Sequence, residues 1–122
     1  MSVAKLPSDP NWPRANSLLT FSKTDLAIIG VPASATALSP TSAHLTPAAI
    51  RVALAKYSTY AGSTDTELQT SGITDLGDVA SPDHADGEAR VAQAMRGLLD
   101  THKILLALGG DNSITYSVAA GL

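Results

Sequence analysis

The residues with the most chemical promise lie together in Gly109-Gly110-Asp111-Asn112-Ser113, directly after the apolar run Lys103–Leu108. Two glycines at the end of a strand let the backbone turn sharply and pass close to a ligand or a neighbouring loop. Asp111, Asn112 and Ser113 then bring a carboxylate, an amide and a hydroxyl to that turn. Taken alone, such a turn suits three tasks: cradling a phosphate, holding a metal ion, or capping the next helix through Asp111 or Ser113. The phosphate reading has the least support, because no Lys or Arg stands close to the loop and there is no Gly-x-Gly-x-x-Gly fingerprint.

Outside this loop the polar candidates are scattered. His44, His84 and His102 are far apart, and none forms a His-x-x-x-His pair with metal-binding spacing. His44 falls in a loop after the first strand, where it reads either as a substrate contact or as a solvated loop residue. His84, beside Asp83 and Asp86, reads as the exposed start of a helix, and His102 as an exposed turn between helix and strand. Asp75 and Asp78 flank Gly77 and can form a carboxylate pair near the site, although strand-end aspartates more often satisfy turn backbone. No residue is assigned a catalytic role on this basis.

The elements that must position these residues are legible from hydrophobic periodicity. Asp25–Val31 is a continuous apolar run ending at Pro32, as expected for a buried parallel strand. A Ser/Thr/Pro-rich loop spans Ala33–Leu45. Thr46 is then expected as the N-cap of a helix with Pro47 at its first position, and Ile50, Ala53, Leu54 and Tyr57 form its apolar face, with Arg51 outside the stripe. Gly62–Ser71 reads as an exposed linker. Ile73–Val79 alternates like a strand ending near the surface. A helix after Pro82-Asp83 is expected to run to about Asp100, burying Val91, Met95, Leu98 and Leu99. The run Lys103–Leu108 is the third strand, and a last helical stretch starts at Ile114. Residues 1–24 form an extended lead-in on which Leu18, Leu19 and Phe21 dock, and residues 25–122 form the domain proper. Strands alternating with helices predict an α/β fold, a three-layer α/β/α sandwich with a mainly parallel sheet. The loops after Val31, Leu76 and Leu108 should then meet on its carboxyl edge, where such sheets build sites.

Three segments in register carry a resemblance. Gly109-Gly110-Asp111-Asn112-Ser113 resembles the Gly-Gly-Asp-His-Ser motif of the ureohydrolase superfamily, which comprises arginases, agmatinases, formiminoglutamases and their relatives. Ile28–Pro32 followed by Leu45–Arg51 is similar to its first strand and Gly-Pro-x-Ala-Ile-Arg helix start, and Asp75–Val79 is similar to its Asp-x-Gly-Asp-Val strand end. The run Ser39–Ala49 looks most like formiminoglutamase-type members. The resemblance implies an arginase-like fold, a Mn2+ pair, a small amidine or guanidino substrate, and hydrolysis of a non-peptide C–N bond; a cytoplasmic location is expected, with which the absence of cysteine is compatible. It places Asn112 where the superfamily has a histidine metal ligand, and an amide oxygen is a weaker, neutral donor. The Asp-Ala-His-x-Asp and Asp-x-Asp-x-x-Asp-Pro segments, which carry the other ligands, do not occur in these 122 residues. The expectation is therefore an incomplete, truncated N-terminal portion that is inactive alone, binds no stoichiometric manganese, and forms a homo-oligomer or associates with a missing C-terminal part. The alternative is a degenerate, non-catalytic α/β interaction module.

Composition bounds the rest. A net charge of −3 gives no footprint for nucleic acid or an anionic membrane surface. With no cysteine, disulfides, thiolate nucleophiles and cysteine zinc sites are excluded. The N-terminus lacks the basic start and apolar run of a signal peptide, and no segment is long and apolar enough to span a bilayer.

Overall fold

A computed structural model describes residues 11–20, 22–68 and 72–122. Its sheet has four strands: β1 (Leu19–Thr20), β2 (Leu26–Val31), β5 (Ile73–Asp78) and β6 (Ile104–Gly109), in the order β1-β5-β2-β6 with every pairing parallel. The three long strands coincide with the three apolar or alternating runs. β2 lies between β5 and β6, and Ala27–Val31 are all buried, which accounts for its unbroken apolar sequence.

Helices cover both faces. α1 (Thr46–Leu54) packs on the face to which Gly30 belongs, where an added Cβ would meet Pro47 at 3.0 Å. The opposite face carries α2 (Gly87–Leu99) and α3 (Ile114–Ala119), and there Ile29 and Val31 form the core with Val91 and Met95. This is the expected three-layer α/β/α arrangement. No helix among the described residues is long and apolar enough to cross a membrane.

Several local expectations are corrected. Thr46 is not an N-cap: a 3-10 turn, Ala43–Leu45, runs straight into α1, so Thr46 is already helical and Leu45 precedes it without a side-chain cap. Tyr57 lies past the end of α1 and is exposed, as is Leu99, while Ala92 takes a place on the buried stripe of α2. The expected linker instead contributes to a small antiparallel hairpin, β3 (Tyr60–Ala61) with β4 (Thr66–Glu67). Its turn is held by Tyr60 donating to Asp65, which sits at φ +51°. Residues 69–71 of that stretch, like Phe21, lie outside the described residues. The described part of the lead-in holds a 3-10 turn, Ala15–Leu18, with Leu18 buried, and then β1 on the sheet's edge.

Candidate functional site

The carboxyl ends of β2, β5 and β6 meet, as parallel pairing requires, and their loops are stitched together by main-chain and side-chain bonds. Gly110 N–H donates to Val31 O at 3.1 Å, and Asp111 N–H to Ala33 O at 2.9 Å. The approach is so tight that a Cβ on Gly110 would lie 1.8 Å from Ala33 O, so only glycine fits there. From the loop after β2, Ser34 and Ala35 N–H groups donate to the Asp83 carboxylate at 3.0–3.2 Å, joining that loop to the one after β5.

Both carboxylate oxygens of Asp111 are engaged within this junction. Its Oδ1 accepts from Ser113 N–H at 3.0 Å and from the Ser113 hydroxyl, and its Oδ2 accepts from the Thr36 hydroxyl at 3.1 Å. The hydrogen bonds from Ser113, then those from Thr36, hold the carboxyl below the ordinary aspartate value. Neither Asp111 nor Ser113 caps α3 with its side chain: Ser113 precedes the helix while its hydroxyl turns back to Asp111. The Asn112 side chain, by contrast, is exposed between these two fixed neighbours. The loop therefore spends its carboxylate on its own geometry and presents an amide.

His44, in the 3-10 turn before α1, is exposed, with Nδ1 3.5 Å from the Ser34 hydroxyl; the structure thus brings it to the same loop that contacts Asp83 and, through Thr36, Asp111. His84 is exposed as expected and lines a cleft of about 230 Å³ with Asp83, Glu88, Thr36, Ser113 and Ser117. His102 corrects the sequence reading: it is buried at the amino end of β6, away from the site, and its Nδ1 lies 2.6 Å from Thr24 O.

Arg51 is the polar residue that sequence reasoning missed. Its guanidinium forks onto Asp75, with Nε to Oδ2 and Nη2 to Oδ1 both at 2.9 Å. Nη1 reaches Asp78 Oδ1 at 2.6 Å and Nη2 the Gly77 carbonyl at 3.0 Å. A three-residue spacing on a regular strand would send Asp75 and Asp78 to opposite faces. The register shift on β5, where Ile28 pairs with Asp75 but Gly30 with Asp78, inserts one residue and brings both carboxylates to the α1 face. Gly77 makes that bulge possible with φ +71°. Burial raises the Asp75 pKa, but the Arg51 hydrogen bonds, the Gly77 N–H and the Arg51 charge together outweigh it and leave a lowered value. The two aspartates thus form the two jaws of a clamp on α1.

Among the described residues, no group of three or more His, Cys, Asp or Glu side chains is placed to hold a metal ion. At the site edge, Asp111 and Asp83 are bonded to loop hydroxyl and N–H groups, and Asn112, His44, His84 and Glu88 are not grouped to hold one ion. This set does not fit a manganese pair, whose mutual repulsion needs several bridging carboxylates to offset it.

Comparison with known proteins places this geometry. The arginase-family model matches residues 24–122. The formimidoylglutamase of Bacillus subtilis is 37% identical over 95 residues, which are 75% of this chain and 30% of that protein. The crystal structure of the Bacillus subtilis formimidoylglutamase superimposes with a TM-score of 0.77 at 28% identity, covering 97% of this chain and 40% of the other. In fold, the chain is also similar to an oxidized Trypanosoma cruzi formiminoglutamase with Mn2+, with a TM-score of 0.78 at 21% identity, covering 91% of this chain and 41% of that one. The chain spans 29–32% of the length of the curated relatives it matches.

Proposed function

This chain belongs to the arginase family, and from that premise we propose that it supplies the N-terminal part of a formimidoylglutamase-like hydrolase, which cleaves a non-peptide C–N bond in a small amidine. The observation that carries the reading is the junction of three loops on the carboxyl edge, where Asp111 is consumed in fixing the turn and Asn112 is presented outward. The match to formimidoylglutamases at 34–37% identity supports this substrate class over a guanidino compound. In this reading Gly109–Ser113 is one wall of the site, Asn112 stands at the histidine ligand position, and the loop bearing His44 flanks the substrate. The chain's own task is positioning. Residues of the complete fold that these 122 do not contain hold manganese and activate water, so the 122-residue chain alone is inactive. The reading also takes the site of action to be cytoplasmic.

The test is to mix the chain with a polypeptide carrying the part of Bacillus subtilis formimidoylglutamase beyond the matched region, and to assay formamide release from formiminoglutamate with Mn2+. Activity in the mixture, absent from either part, is the expected result. A mixture that assembles yet stays inactive overturns the catalytic reading. It would favour the alternative, a non-catalytic α/β module.

A further inference from the structure

In the cleft of about 230 Å³ beside the loop junction, the hydroxyl groups have their protons spent elsewhere. Ser113 and Thr36 each donate to Asp111, and Ser117, which is buried, donates to the Ile114 carbonyl at 3.1 Å. A hydroxyl has one proton and two lone pairs, so toward the cleft all three can only accept. Asp83 and Glu88 add two carboxylates, and among the lining side chains only His84 can donate. Glu88 has no hydrogen-bond or ion-pair partner among the described residues. Arg90 does not line the cleft: its guanidinium is held by Asp86 and by the Ala80 and Ser81 carbonyls. The rest of the lining is apolar and includes Val31, Ala33, Val91 and Ile114.

We propose that this cleft binds a small alkylammonium ion. Its headgroup supplies the N–H donors that the lone pairs of Ser117, Ser113, Thr36 and Glu88 lack, and its alkyl group suits Val31, Val91 and Ile114. The amino end of α2 adjoins the cleft and alone would favour an anion, but its effective charge is about half a unit. Asp83 and Glu88 set two full negative charges against it, and an anion would find no donor among the serine and threonine side chains. A bare divalent ion fits less well, because no three His, Asp or Glu side chains among the described residues surround one point. Ser113 and Thr36 also hold Asp111, so occupancy of the cleft steadies the Gly109–Ser113 turn. The inference goes beyond the hydrolase reading and does not require the chain to be catalytic.

The experiment measures binding, not catalysis. n-Butylammonium is titrated into the isotope-labelled 122-residue chain at constant ionic strength, and NMR follows the amide signals of Glu88, Ser113 and Ser117. Saturable shifts with a Kd on the order of millimolar are expected for a ligand of so few atoms. Tetramethylammonium has the charge without N–H donors, 1-butanol has the chain without the charge, and butyrate has the opposite charge. Each should bind about tenfold more weakly or not at all. Glu88→Gln and Ser117→Ala should each weaken butylammonium about threefold or more. Asp100→Asn removes the same charge at the other end of α2 and should leave binding unchanged. Unaltered signals from β2 and β6 show that a variant is folded, and the ligand series decides the proposal even where a variant is not. The absence of saturable shifts overturns the proposal. So does equal binding of tetramethylammonium or 1-butanol, or a loss in Asp100→Asn as large as that in Glu88→Gln. Selective butylammonium binding by a chain that stays inactive with the Bacillus subtilis polypeptide supports the cleft while refuting the catalytic reading.

Discussion

Gly110 passes so close to Ala33 that its missing side chain is a structural requirement. Gly110→Ala must push the loop off β2 and loosen the bond to Val31 O; the expected cost is about 3 kcal/mol, in line with overpacked sites, read as a lowered urea midpoint. Asn112 behaves in the opposite way. It is exposed, so Asn112→His should change stability by no more than about 0.5 kcal/mol. If the proposed assembly with the rest of the fold binds manganese, the same substitution should tighten it, since an imidazole nitrogen is a stronger donor than a neutral amide oxygen; an unchanged manganese titration would show that the side chain at this position does not reach the metal. The loop's importance was legible in the sequence from its glycines and polar cluster. The division of labour within it was not, because Thr36, which occupies one Asp111 oxygen, comes from a loop 75 positions earlier.

At the level of elements, the clamp between α1 and β5 makes the sharpest prediction. Arg51 and Asp75 are both mostly shielded, with side-chain exposures of 19% and 15%. Arg51→Ala would leave Asp75 with an unpaired, half-desolvated charge and should cost about 2–3 kcal/mol. The pH dependence has a definite sign. The folded Asp75 pKa lies below its ordinary value, so the unfolded chain binds the proton more readily. The stabilisation is complete above the ordinary aspartate range and disappears as pH falls through the lowered native value. Thermal melts of the parent and Arg51→Ala chains should therefore converge in acid; a gap of constant size down to strongly acidic pH would refute the clamp as the source. Sequence periodicity revealed β2, β5, β6 and α2 because each is long enough to repeat a buried stripe. It could not reveal the clamp, since Arg51 lies off the apolar stripe and its grip on both aspartates depends on a bulge that a single φ at Gly77 creates. The β3–β4 hairpin escaped for another reason: strands of two residues have no period to detect. His102 looked like a surface turn because its acceptor, the Thr24 carbonyl, is 78 positions away.

For the molecule as a whole, the inventory of donors predicts that the purified 122-residue chain carries no stoichiometric manganese at neutral pH. Elemental analysis finding one or two equivalents per chain would overturn that prediction. The sheet order has a consequence for how the molecule comes into being. β2 is the central strand and the most apolar, yet both its partners follow it at long range: Thr24 meets Thr74 across 50 positions, and Asp25 meets Lys103 across 78. Until β5 and β6 have emerged from the ribosome, Leu26–Val31 has no neighbour to pair with. No hairpin can shelter it in the meantime, because every pairing in this sheet is parallel. Such non-local pairing is slow to form and leaves apolar strands open to capture by other nascent chains. Refolding from denaturant should accordingly take about milliseconds to seconds or longer, and its yield should fall as protein concentration rises and recover when a chaperone that binds extended apolar segments is added to the refolding mixture.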